Sequence, residues 1–143
     1  MTVNDLLSAK GREVVSMESD LTVEDAIRSM HNWKISAVLI TDKGTPVGIF
    51  TERDVVRCYI ATKGKSFQGI PLREAMTKDL IVAEPGNELG DVMSVMVQKN
   101  IRHLPVTDKG KIVGMLSIRD VIQTRVEKLT EEIHYLKDYL IGP

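Results

Sequence analysis

Gly48-Ile49-Phe50-Thr51-Glu52-Arg53-Asp54 and Gly114-Met115-Leu116-Ser117-Ile118-Arg119-Asp120 are two copies of one pattern, Gly-x-x-Thr/Ser-x-x-Asp, set 66 residues apart (114 minus 48). Each copy follows a short apolar, strand-like run and precedes an apolar, helix-like one. A hydroxyl and a carboxylate three residues apart therefore sit at a strand-to-helix junction, where together they can hold a ribose. Two copies predict an internally duplicated fold with two candidate ligand sites.

The duplication is wider than the motif. Residues 14–56 align with 80–122 without a gap, and Thr41-Asp42-Lys43-Gly44 matches Thr107-Asp108-Lys109-Gly110 residue for residue. A self-match at one fixed spacing decides the architecture before any local reading does, and with two copies it predicts a pseudo-symmetric pair rather than a solenoid. Each copy reads β-α-β-β-α, which makes the fold class α+β. Short first strands are predicted at 14–17 and 80–83. Thr22 then caps a helix with Asp25 three residues on, and Asn87 takes that place in the second copy. Ala26, Ile27 and Met30, and Val92, Met93 and Met96, supply helical spacing. Strands at 37–40 and 103–106 lead through Asp-Lys-Gly, a hairpin signal, to strands at 46–50 and 112–116. The motif helices start at Thr51 and Ser117. Residues 3–7 and 71–76 read as short helices that lead into the first and second copies, the latter opened by Pro71. Residues 61–69 read as a linker. The predicted boundaries are 1–63 for repeat one, 64–125 for repeat two and 126–143 for a C-terminal helical extension.

The chain has 143 residues, 43% of them hydrophobic and 27% charged, with a formal net charge of −1. Those values are ordinary for a soluble globular protein, and the charge argues against a nucleic-acid partner. The single cysteine, Cys58, rules out an internal disulfide and reads as a small apolar core residue. No apolar run approaches the about 20 residues that span a bilayer, and the N-terminus lacks a signal-peptide core, so the expectation is a cytoplasmic protein with no membrane partner. Three histidines and one cysteine without ligand spacing predict no metal site. No nucleophile–base–orienter set is visible, so no catalytic residue and no enzyme activity are expected. Trp33 is expected to be partly buried.

In the C-terminal segment Ile122, Val126, Leu129, Ile133, Leu136 and Leu140 are spaced 4, 3, 4, 3 and 4 residues apart, a heptad stripe. It fits either an amphipathic helix folded back on its own core or a dimerisation helix.

The ordered set of β-α-β-β-α repeats, Asp-Lys-Gly hairpins and paired Gly-x-x-Thr/Ser-x-x-Asp motifs resembles a CBS-domain pair, or Bateman module, of the stand-alone type. Ile101–Val106 carries the Ile-x-x-Leu-Pro-Val pattern of that family, whereas repeat one has Leu39 where proline is usual. The resemblance implies two repeats packed about a pseudo-two-fold axis, a homodimer, and an adenosine-containing regulatory ligand: AMP, ADP or ATP, or a relative such as S-adenosylmethionine or NAD(H). It implies no required cofactor. It assigns Thr51, Asp54, Ile81, Val82, Arg102 and His103 to a first, preferred site. Ser117, Asp120, Lys34, Ser36, Ala37 and Val15, with Lys10 or Glu13 nearby, form a second. Asp would accept from the ribose hydroxyls, Arg102 and His103 would face phosphates, and Ile81, Val82 and Val15 would flank adenine. Arg102 is the reason for preferring the Asp54 site.

The competing reading of each motif is a helix cap, with Thr51 or Ser117 capping and Asp54 or Asp120 reaching back. At the level of function, the expectation is a regulatory sensor for signal transduction to an effector protein. The alternative is a structural or interaction protein that acts through its dimer surface with unoccupied sites.

Overall fold

The computed structural model describes residues 1–65 and 67–142. Ser66, inside the 61–69 linker, and Pro143, at the end of the 126–143 extension, lie outside the described residues. In chain order the elements are α1 (Val3–Lys10), β1 (Ser16–Glu18), α2 (Val23–Trp33), β2 (Ala37–Asp42), β3 (Thr45–Thr51), α3 (Glu52–Ala61), α4 (Leu72–Ala75), α5 (Leu89–Lys99), β4 (His103–Asp108), β5 (Lys111–Ser117) and α6 (Ile118–Ile141). They form a mixed α+β fold with two small sheets.

The chain divides into two compact units, Glu13–Ile81 and Met1–Arg12 with Val82–Pro143. The boundaries 1–63 and 64–125 follow the sequence duplication, whereas the compact units exchange the segments that lead into each repeat. The reason is apolar packing. Val3 and Leu7 of α1 are fully buried, and α1 is tied to the second repeat by Val3 N–H donating to Asn87 O at 2.9 Å and Asn4 N–H to Pro85 O at 2.9 Å. Each such buried side chain stabilises by about 1.5–3 kcal/mol. The same exchange ties residues 70–77 to the first repeat. Leu72 is fully buried, Thr22 bridges to Pro71 and Ile49 bridges to Thr77.

In the Glu13–Ile81 unit, β1 pairs parallel with β2 and β2 antiparallel with β3. Two parallel strands need a crossover, which α2 supplies. Thr22 and Asp25 form the expected capping box, and Val23, Ala26 and Met30 turn inward against Val38, Ile40, Phe50 and Leu72. The helix stops at Lys34, which has left-handed φ of 54°. Trp33 therefore falls at the helix end, past its buried face, and is 67% exposed rather than partly buried. Cys58 is buried as expected.

In the other unit β4 and β5 make a two-stranded antiparallel sheet. The strand expected at 80–83 is reduced to one parallel bridge, Ala83 to Val106. Pro85, which has no N–H to give, follows two residues later, and the chain leaves the unit at Ile81, so the ladder extends in neither direction. The capping place expected for Asn87 is held by Glu88, without a side-chain bond to the helix α5. Asn87 Oδ1 instead accepts from Glu84 N–H at 2.8 Å in the turn before it.

Both Asp-Lys-Gly hairpins are present. Lys43 and Gly44 have φ of 51° and 83°, and Lys109 and Gly110 have 51° and 79°. Two successive left-handed residues match the right-handed strand twist of a two-residue hairpin.

Candidate functional site

The motif glycines are explained by close approach. A Cβ on Gly48 would lie 2.5 Å from Met76 Sδ and 2.8 Å from Thr77 O, and one on Gly114 would lie 2.7 Å from a Leu7 methyl carbon. Each glycine thus lets the leading segment pack directly on the strand that feeds the motif.

At the first junction Thr51 is the N-cap of α3. Asp54 is 1% exposed and holds several donors. Its Oδ2 accepts from Thr51 N–H at 2.9 Å and from the Thr51 hydroxyl at 3.4 Å. Its Oδ1 accepts from the Thr77 hydroxyl at 3.0 Å and from Arg57 Nη1 at 3.2 Å. A carboxylate this buried is tolerated only with such partners. The helix-cap reading of Thr51 and Asp54 is therefore realised, and the cap is supplemented by Thr77 and Arg57.

The second junction differs. Ser117 caps α6, with Asp120 N–H donating to its Oγ at 3.1 Å. The Asp120 carboxylate is paired with Lys10 Nζ, and the two side chains are 35% and 31% exposed. Burial pushes the Asp120 carboxyl up. Hydrogen bonds from Lys10 and Ser117, with the charges of Lys10 and Arg119, more than reverse this and hold it below the ordinary carboxylate value. The second carboxylate is thus more open than the first and already carries a cation.

Of the remaining expected site residues, Ser36, Ala37, Arg102 and His103 lie beside the junction of their own unit, not the junction whose ligand set they are assigned to. In one unit Ala37 lies opposite Thr51 in the β2–β3 register, and Ser36 O accepts from Glu52 N–H at 3.2 Å. In the other His103 lies opposite Ser117, and Arg102 O accepts from Ile118 N–H at 2.8 Å. Arg102, Lys34, Glu13 and Val82 are exposed, and Ile81 is half-buried. Val15 packs against the core of its unit, and its carbonyl accepts from Leu39 N–H at 3.0 Å. Among the described residues no group of three or more His, Cys, Asp or Glu side chains is placed to hold a metal ion. No described helix is long and apolar enough to cross a membrane.

Thr77 and Arg57 were not legible as partners of Asp54. Thr77 corresponds at the 66-residue spacing to Gly11, so the self-alignment carries no signal for it. Arg57 lies one helical turn after Asp54, a spacing at which side chains meet, and its counterpart Gln123 marks the asymmetry. Lys10 was expected beside adenine; the structure places its ammonium on Asp120.

The pattern of the CBS domain family matches residues 3–61 and 72–127. The fold is similar to the CBS-domain protein ATU1752 from Agrobacterium tumefaciens, with TM-score 0.83, 36% identity, and coverage of 87% of this chain and 99% of that one. A mitochondrial CBS domain-containing protein of Arabidopsis thaliana, CBSX3, is 31% identical over 150 residues, which cover 99% of this chain and 72% of that protein. The CBS-domain pair of protein MJ0100, solved in complex with methylthioadenosine and S-adenosylmethionine, has TM-score 0.76 and 25% identity, covering 90% of this chain and 98% of that one. The chain belongs to the CBS-domain family. It is a CBS pair, with one copy of the domain in each matched segment.

Proposed function

We propose that this protein is a regulatory sensor that binds an adenine nucleotide, AMP, ADP or ATP, and passes its occupancy to an effector protein. The carrying observation is the Asp120 junction. A partly exposed carboxylate, kept ionised, sits at a helix N-terminus beside a lysine that can turn from it to an incoming phosphate. A ribose diol donating to Asp120 makes a charge-assisted pair of bonds, and the first turn of α6 offers backbone N–H groups to an anion. The proposed ligand sets are Thr51, Asp54, Ile81, Val82, Arg102 and His103 for the first site, the one preferred from sequence for its Arg102, and Lys10, Glu13, Val15, Lys34, Ser36, Ala37, Ser117 and Asp120 for the second, which carries the proposal here because its carboxylate is the more open. Each set draws on both repeats, as family resemblance implies. The MJ0100 pair is known with phosphate-free adenosyl ligands, so S-adenosylmethionine and its relatives, with NAD(H), are the competing ligands. The protein acts as a cytoplasmic homodimer, and the ligand is regulatory rather than a required cofactor.

A second reading is favoured by Asp54. Its two oxygens already hold donors from Thr51, Thr77 and Arg57, which is the state of an interaction protein whose first site stays unoccupied. Calorimetry against AMP, ATP, NADH and S-adenosylmethionine separates the two. Saturable binding of an adenine nucleotide below about millimolar, a free energy of roughly −4 kcal/mol or better, supports the sensor. Failure of all four to bind in that range leaves the interaction reading standing.

A further inference from the structure

The helix α6 runs for 24 residues, and the family match ends at residue 127. Its heptad stripe does not fold back on the core. Among the described residues Ile122, Val126, Leu129, Ile133, Leu136 and Leu140 are all between 47% and 78% exposed. A continuous exposed apolar stripe of this kind marks an interaction surface.

The stripe identifies its occupant. Its spacing places Val126, Ile133 and Leu140 at the a positions and Ile122, Leu129 and Leu136 at the d positions of a heptad. Branched Val and Ile at a, with Leu at d, favour two strands in a parallel coil. The flanking residues agree. In a parallel coil each g residue meets the e residue of the following heptad on the partner helix, so Glu132 at g meets Lys137 at e, twice by symmetry. In the antiparallel register with the greatest overlap, where each a residue faces a d residue, g faces g. Glu132 then meets its own copy, which repels. We propose that residues 122–140 of α6 form a parallel, in-register, two-stranded coil with α6 of a second copy of this chain. The proposal rests on the homodimer reading above and adds its seam and its orientation.

The test uses the full chain. Light scattering across the micromolar range reads the mass of the wild type and of the Leu129→Asp, Leu136→Asp double variant, with circular dichroism to verify that each is folded. A dimeric wild type and a folded, monomeric double variant are expected. Glu132→Lys alone and Lys137→Glu alone each set like charges against each other and should raise the dimer dissociation constant by about 5–10-fold; the two together should restore it. Orientation is read by electron–electron double resonance on a Cys58→Ser background, with a spin label introduced by Glu131→Cys or Asp138→Cys, both outside the seam and one heptad apart. Equal short distances at the two positions are expected. A markedly longer distance at 138 than at 131, from the axial separation of about 21 Å that antiparallel helices centred on 131 give position 138, means antiparallel helices and overturns the proposal. A dimer that survives the double variant overturns the coil but leaves the homodimer standing, whereas a monomeric wild type overturns both.

Discussion

The Thr77 hydroxyl donates to Asp54 Oδ1 at 3.0 Å, joining the segment that follows α4 to the first turn of α3. In the other repeat the corresponding carboxylate, Asp120, is held by Lys10, the last residue of α1. Both leading segments thus reach the carboxylate of the motif, one with a neutral donor and one with a cation. The neutral donor accompanies a buried carboxylate and the cation a partly exposed one, so the duplicated motif gives two chemically different junctions.

Thr77→Val keeps the shape of the side chain and removes the donor. A bond to a buried charged group is worth about 1.5–3 kcal/mol. Asp54 keeps Thr51 and Arg57, so the loss is expected near the lower end, read as a lower urea midpoint at unchanged slope. Thr77→Ser should recover most of it. A Thr77→Val variant as stable as the wild type would show that the hydroxyl contributes nothing.

The Lys10–Asp120 pair predicts a pH signature. Asp120 has a folded pKa below its ordinary value of 3.8. The stability it contributes is therefore fully present above about pH 4 and is lost as pH falls through the folded value. Lys10→Met should destabilise by about 0.2–1 kcal/mol at pH 7, the range for a partly exposed pair. The gap between variant and wild type should close at acidic pH, where Asp120 is protonated. Denaturant titrations at several pH values check this, and a gap independent of pH would refute the assignment.

How much was legible follows from how local each signal is. The Thr22–Asp25 capping box, both hairpins and the strands at 37–40, 46–50, 103–106 and 112–116 rest on short-range rules, and the sequence pattern reads them directly, whereas the strand expected at 14–17 is found at Ser16–Glu18. The exchange of α1 and α4 between repeats rests on side-chain packing at long sequence separation, and Val3, Leu6 and Leu7 carry no mark of which repeat they enter. At the candidate sites Thr51, Asp54, Ser117 and Asp120 were readable because they recur at a fixed spacing. Thr77, Arg57 and the Lys10 contact lie where the two repeats differ, so the self-alignment is silent there.

The close approach at the motif glycines predicts unequal costs for the same substitution. In Gly48→Ala the new methyl meets the Thr77 carbonyl, which is backbone and is held by Ile49 N–H at 3.0 Å. In Gly114→Ala the nearest atoms are the terminal methyls of Leu7, the end of a side chain rather than backbone. Overpacking costs about 1–3 kcal/mol, so Gly48→Ala should fall near the upper end and Gly114→Ala near the lower. Equal costs, or a larger one for Gly114→Ala, would mean that the leading segment yields as a whole at both places.

The chemical difference between the two carboxylates predicts how ligand binding divides. Asp120→Asn removes the charge that a ribose diol would donate to, while leaving the Ser117 cap of α6 in place. It should weaken one calorimetric site by about 10–100-fold, the range expected for bonds to a charged acceptor, with little change in stability. Asp54→Asn should cost stability as well, because Thr51, Thr77 and Arg57 all donate to that carboxylate and the replacement presents an amide to one of them. Binding at the Asp120 site should persist in that variant. The informative comparison is therefore the stoichiometry and affinity of nucleotide binding in the two variants alongside their unfolding midpoints. Asp120→Asn binding nucleotide as tightly as the wild type would remove Asp120 from the ligand set. Asp54→Asn with unchanged stability would show that the buried network does not hold α3 to the segment after α4.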